Sequence, residues 1–271
     1  MDTKFIVNDY MVIWNLLFQA SISENILKLK QKLWANYKKN YNDAYNDKAL
    51  ILEDYKNFIP NDDTIYNFLL ENKYYDKIRK QVEKYRLDLM KLWDKNKKET
   101  TYLIENILRK EVGEYTFFVV DKETSIVEHA SNNSFVIGKA IDRDKPLALL
   151  YEINMLLFNH NIKDYEGSSK LFKKAIVEFA VINEYATKLT GKSHYLFGTP
   201  ELLSLKRWLY PYWLMYLGVP KSEFKEYMTR DNIYFDETKY AYEKELKKMN
   251  IEQFIDFCIR NQRYIIREGK A

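Results

Sequence analysis

The first 112 residues of this 271-residue chain contain no glycine. All seven glycines lie between Gly113 and the C-terminus, and those first 112 residues hold a single proline, Pro60. Glycine and proline are the strongest local breakers of regular structure. A stretch this long without them, rich in lysine, leucine and glutamate, favours helix. The chain therefore reads as a helical region over residues 1–112 and an α+β region over 113–271. In the helical region Ser21 and Glu24 have capping-box spacing. Ile22, Ile26, Leu29 and Leu33 follow at helical intervals, and Trp34, Tyr37, Tyr41 and Tyr45 extend the pattern. After the break at Pro60, the residues Ile78, Val82, Tyr85, Leu89 and Leu92 repeat on one helical face. Two such helices are expected to form an antiparallel hairpin, with a further short helix at Leu103, Ile104, Ile107 and Leu108.

From Glu114 the apolar period shortens. Residues 115–121, 126–130 and 134–141 read as three short strands, which predicts a small three-stranded antiparallel sheet. Apolar helices over 147–158 and 169–189 should form the centre of this region, the second ended by Gly191. The whole is expected to be α+β and mostly α.

Net charge is only +4, too balanced to imply nucleic-acid binding by itself. One cysteine, Cys258, excludes a disulfide scaffold. Abundant tyrosine, phenylalanine and lysine with little glycine and proline suggests AT-rich codons, as in a low-GC bacterium or its phage or mobile element. The N-terminus has acidic Asp2 and Asp9 and no basic run before an apolar core, so a cytoplasmic protein is expected. The longest uncharged apolar stretch, residues 208–220, is too short to span a bilayer, so no membrane insertion is expected.

No phosphate-binding glycine loop, dinucleotide fingerprint, CxxC pair or serine elbow is present. One constellation stands out. The helix over 147–158 follows three strands and carries Tyr151-Glu152-Ile153-Asn154-Met155 at its centre. This arrangement resembles the gluzincin branch of the zincin metallopeptidases, which place His-Glu-x-x-His there. The resemblance implies Glu152 as general base and Glu184, or Glu178, as third zinc ligand from the following helix. Tyr151 and Met155 stand where the family has its two histidines, so the resemblance implies a scaffold without catalysis and without a bound cofactor. His160 lies two turns beyond Glu152, and a rebuilt zinc site from Glu152, His160, Glu178 and Glu184 is the catalytic alternative. The remaining histidines, His129 and His194, have no ligand spacing.

Two binding surfaces are also legible. Residues 73–98 hold ten Lys or Arg against four Asp or Glu, with Lys77, Lys80, Lys84, Lys91 and Lys95 at polar positions. Tyr74, Tyr75, Tyr85 and Trp93 are interleaved, a pattern suited to phosphate neutralisation and base stacking. Residues 208–220 are dense in rings, and Trp208, Tyr212, Trp213 and Tyr216 are candidate anchors for a protein partner or for self-association. Three functions follow. The first is a noncatalytic protein-binding module, with a pseudo-metallopeptidase scaffold as its candidate form. The second is a divergent metal-dependent hydrolase using Glu152. The third is a nucleic-acid-binding protein using the basic helix.

Overall fold

The structure is a computed structural model and describes residues 2–18, 24–47, 51–53, 57–60, 62–111, 113–140, 146–192, 198–231, 233 and 243–266. Ser21, Ile22, Arg143 and His194 lie outside the described residues. The fold is α+β and mostly helical, with one four-stranded mixed sheet and a two-stranded ribbon. The chain divides into two compact units, Met1–Lys95 with Gly113–Glu152, and Asn96–Val112 with Ile153–Ala271.

The first unit opens with β1 (Asp2–Ile6). Helices α1 (Asp9–Phe18), α2 (Glu24–Asp47), α3 (Thr64–Leu70) and α4 (Lys73–Tyr102) follow, with the ribbon β2 (Ile51–Glu53) and β3 (Asn57–Ile59) between α2 and α3. Then come β4 (Glu114–Val119), β5 (Val127–Ser131), β6 (Ser134–Ile137) and the start of α5 (Pro146–His160). Asn8 caps α1, its Oδ1 accepting the Met11 amide at 2.9 Å. On α4, Ile78, Val82 and Leu89 of the expected face are buried, Tyr85 and Leu92 are half-buried, and Tyr75 and Trp93 are buried beside them.

The sheet order is β1-β4-β6-β5. This corrects the expected three-stranded antiparallel sheet in two respects. The N-terminal segment supplies a fourth strand, with Asp2 to Ile6 registered parallel to Glu114 to Phe118. And β6 lies between β4 and β5, parallel to the first and antiparallel to the second. The reason is burial. All four residues of β6 are buried, so it needs neighbours and cover, whereas Glu128 and His129 make β5 fit only an edge. A tight turn at Asn132, whose φ is +44°, returns β5 into β6. Gly138 lets the chain after β6 pass against the Thr124 carbonyl, a space that a β-carbon would occupy. Phe5, Phe117 and Phe135 share one register line across three strands. Their ring centroids lie 5.0 and 5.6 Å apart, and Trp93 of α4 stands 5.9 Å from Phe5 and 5.6 Å from Phe117. That aromatic contact joins α4 to the sheet.

The second unit is helical. A π-helical segment, Leu103–Leu108, follows α4 directly and stops where Arg109 turns left-handed at φ +53°. The short helix expected there is thus a continuation. Helix α6 (Ser169–Glu178) runs through a second π segment, Phe179–Tyr185, into α7 (Ala186–Thr190), and ends at Gly191 with φ +68°. The remaining helices are α8 (Leu203–Leu217), α9 (Phe224–Arg230), α10 (Ile251–Arg260) and α11 (Gln262–Ile265). Helix α8 passes through Pro211 without a break and closes on Gly218, where the Val219 amide returns to the Leu214 carbonyl at 3.0 Å.

Candidate functional site

Helix α4 carries the most ordered arrangement of charge. Lys73, Lys77, Lys80, Lys84, Lys91 and Lys95 are all exposed. At 100° per residue they fall within an arc of roughly 80°, and Leu87, also exposed, occupies the one vacant step. The buried ridge through Ile78, Val82 and Leu89 lies on the opposite side of the helix. Hydrophobic packing therefore dictates the row: once the ridge is seated, the lysines have no other direction. From Lys73 to Lys95 the row runs roughly 33 Å along the axis. Among the described residues only Lys91 of the six has an acidic partner, Asp88 at 4.0 Å.

The other groups of the 73–98 segment are used internally. The Arg79 Nε donates to Asp9 Oδ1 at 2.9 Å, and Tyr75 donates to the same carboxylate at 2.7 Å. Asp9 in turn holds the Arg79 guanidinium above its ordinary pKa, and burial raises the Tyr75 hydroxyl. Arg86 donates to Glu83 at 2.9 Å. Tyr85 donates to the Gly138 carbonyl at 2.7 Å, and Trp93 is buried. Tyr75, Tyr85 and Trp93 are therefore held by internal contacts, which corrects the expectation that they stack on bases, and Tyr74 is half-buried. The six lysines of the row face solvent. Exposed Asp76 and Asp94, with half-buried Glu83, flank the row on one side and Asp88 on the other. The positive surface is thus a narrow line.

The residues expected to hold zinc are not brought together. Among the described residues no three His, Cys, Asp or Glu side chains stand close enough for a metal. Glu152 is half-buried on α5 in the first unit, whereas His160, Glu178 and Glu184 belong to the second. The buried Glu178 accepts the Thr199 amide at 3.0 Å and faces Lys206 Nζ at 3.5 Å. Burial lowers the Lys206 pKa and the Glu178 charge opposes that. Gly198, at φ +115°, is required beside this pair, because a β-carbon would overlap the Glu178 carboxylate. Glu184 accepts the Trp213 indole at 3.1 Å, and burial pushes its carboxyl above the ordinary range, against that hydrogen bond and the nearby Arg230 charge.

The aromatic segment on α8 is a core element, which corrects its reading as a partner surface. Tyr212, Trp213 and Tyr216 are buried and Trp208 is half-buried. Trp213 stacks with Phe179 and Tyr216, both at 5.4 Å, and Tyr216 stacks with Phe254 at 4.6 Å. Arg109 seals this stack, its guanidinium 4.2 Å from the Tyr216 ring centre and donating to the Tyr216 carbonyl at 2.6 Å. Cys258 is fully buried, and burial raises its thiol well above the ordinary value, so it is unreactive.

Sequence reasoning missed two exposed rings on α2, Trp34 and Tyr45. Trp34 extends the apolar periodicity of α2, yet its ring is 45% exposed while the neighbouring Leu33 is buried. No helix among the described residues is long and apolar enough to cross a membrane. No protein-family model, curated protein or solved structure matches the chain.

Proposed function

We propose that the chain is a noncatalytic nucleic-acid-binding protein that holds the phosphate backbone along α4. The observation that carries this reading is the row of six exposed lysines opposite the buried ridge. Each ammonium placed near a phosphate releases condensed counterions, and this term dominates the affinity of such proteins. The acidic flanks favour a linear polyanion over a flat anionic membrane. A sheet of lipid headgroups would be brought against Asp76, Asp88 and Asp94, whereas a single phosphate line need not be. Leu87 is the one exposed large apolar residue of the face, too little to insert into a bilayer.

The test is anisotropy titration of labelled nucleic acid over a salt series. Affinity should fall steeply with salt. Replacing Lys77, Lys80, Lys84 and Lys91 together by Gln should reduce the slope of log K against log salt by about one per lysine engaged. Salt-independent binding, or full affinity in the quadruple variant, overturns the reading. Tighter binding to anionic vesicles than to nucleic acid does the same.

A second reading is favoured by a different observation. Strand β5 is an edge strand with exposed Glu128 and His129, and α5 with Glu152 comes next in the chain. This fits a zincin-like scaffold that binds a protein segment at a sheet edge without cutting it. Elemental mass spectrometry of the purified chain, with and without added zinc, tests its noncatalytic form. About one zinc per chain, lost in Glu184→Ala, points instead to the hydrolase with Glu152 as its base.

A further inference from the structure

On α2, between Glu24 and Asp43, the chain carries five lysines and no acidic residue. In the middle of this basic stretch Trp34 is 45% exposed, with Lys30 one turn before it and Lys38 four residues after it, just past a kink where Tyr37 leaves helical geometry at φ −136°. The Lys38 ammonium lies 5.3 Å from the Trp34 ring centre. Trp34 is also the outer end of a chain of rings. Its centroid is 5.8 Å from Tyr41, Tyr41 is 5.2 Å from Phe18, and Phe18 is 5.6 Å from Tyr45, which is 56% exposed. Packing explains Phe18 and Tyr41, which are half-buried, and Tyr41 donates to the Leu17 carbonyl at 3.4 Å. It does not explain why the chain ends in two open rings, Trp34 among the ammonium groups of α2 and Tyr45 beyond Asp43. An apolar protein surface laid over Trp34 and Tyr45 would desolvate those ammonium groups. A nucleic acid brings phosphates for them and flat bases for the rings.

We infer that Trp34 and Tyr45 form a base-stacking platform for single-stranded nucleic acid. This rests on the reading of α4 as a phosphate-binding face and names its ligand class. Every base has a π face, so the platform is tolerant of sequence, and it requires unpaired bases because a duplex buries those faces within its own stack. The lysines of α2 and α4 belong to the same unit and supply the charge, while the rings discriminate single strand from duplex. On binding, Lys38 exchanges its exposed ring contact for a phosphate.

The experiment compares three ligands of about 30 nucleotides by anisotropy: an oligothymidine, a duplex of the same length and an abasic strand. The full chain should bind oligothymidine tightest. Trp34→Ala should weaken oligothymidine binding by about tenfold and leave duplex and abasic affinities within about twofold. Trp34→Phe should retain most of the affinity, and unchanged circular dichroism of both variants will show that an exposed ring was removed rather than a core one. Equal losses on all three ligands, or none, overturn the platform while the α4 reading stands. Absence of binding to any of the three overturns both. Self-association that Trp34→Ala abolishes, seen by sedimentation, would make the rings a contact between copies and also overturns the platform.

Discussion

Single residues here are constrained by burial more than by chemistry. Lys206 is fully buried against Glu178, an arrangement costly to leave half made. Lys206→Met alone should destabilise the fold by about 3–5 kcal/mol, because it leaves a buried carboxylate without its cation. The double variant Lys206→Met with Glu178→Gln should recover much of that loss, and urea unfolding of the three proteins measures it. Glu184 gives a pH prediction of defined sign. Burial raises its folded-state pKa above the ordinary 4.5, so the folded chain binds that proton more tightly than the unfolded chain. Its contribution to stability is therefore greatest at low pH and is lost as pH rises from the ordinary value through the raised one. Glu184→Gln keeps an acceptor for the Trp213 indole, and should flatten that part of the stability profile. A profile with unchanged slope in the variant would refute the assignment.

At the scale of elements, the two faces of α4 should separate in experiment. Trp93 touches Phe5 and Phe117 in the sheet, so Trp93→Ala should cost about 3–5 kcal/mol of stability. Substituting Lys77, Lys84 and Lys91 by Gln should change stability by no more than about 0.5 kcal/mol per site, since they face solvent. Thermal or urea unfolding distinguishes the two. Gly218 closes α8 at φ +82°, where a β-carbon would make only an ordinary contact with Lys247 Cβ at 3.8 Å, so Gly218→Ala should cost about 1–2 kcal/mol from backbone strain. The α4 ridge was readable in advance because its burial follows one strict helical period. The α8 segment was not. It is apolar on all sides, so periodicity could not say whether its rings faced a partner or the interior. The answer came from Phe179 and Phe254, which are distant in sequence and stack on it.

At the scale of the whole molecule, β1 ties the first residues of the chain to a strand more than a hundred positions later. Five registered residue pairs depend on it. A chain lacking residues 1–7 should therefore lose the β1 ladder and the Phe5 contacts together. Amide hydrogen exchange should then show Tyr115 and Phe117 with greatly reduced protection, because the alternating amides of Thr116 and Val120 are directed to the β6 side. Retained protection there would mean that β4 does not need β1.

The sequence by itself determined the long helix α4, its buried ridge and the direction of the lysine row. Each follows from local periodicity and from the glycine-free stretch, which are properties of neighbouring residues. It also located all three strands after Gly113. The tertiary structure decided what these elements meet. It set β6 between β4 and β5, because a fully buried strand needs cover and β5 has exposed polar residues for an edge. It drew Asp2 to Ile6 into the sheet, turned the α8 rings inward and engaged Glu178 and Glu184 in separate contacts. It left Trp34 in the open although its spacing matched the buried side. Those outcomes depend on partners far away in the chain, and no local pattern encodes which distant surface will be free to cover a given side chain.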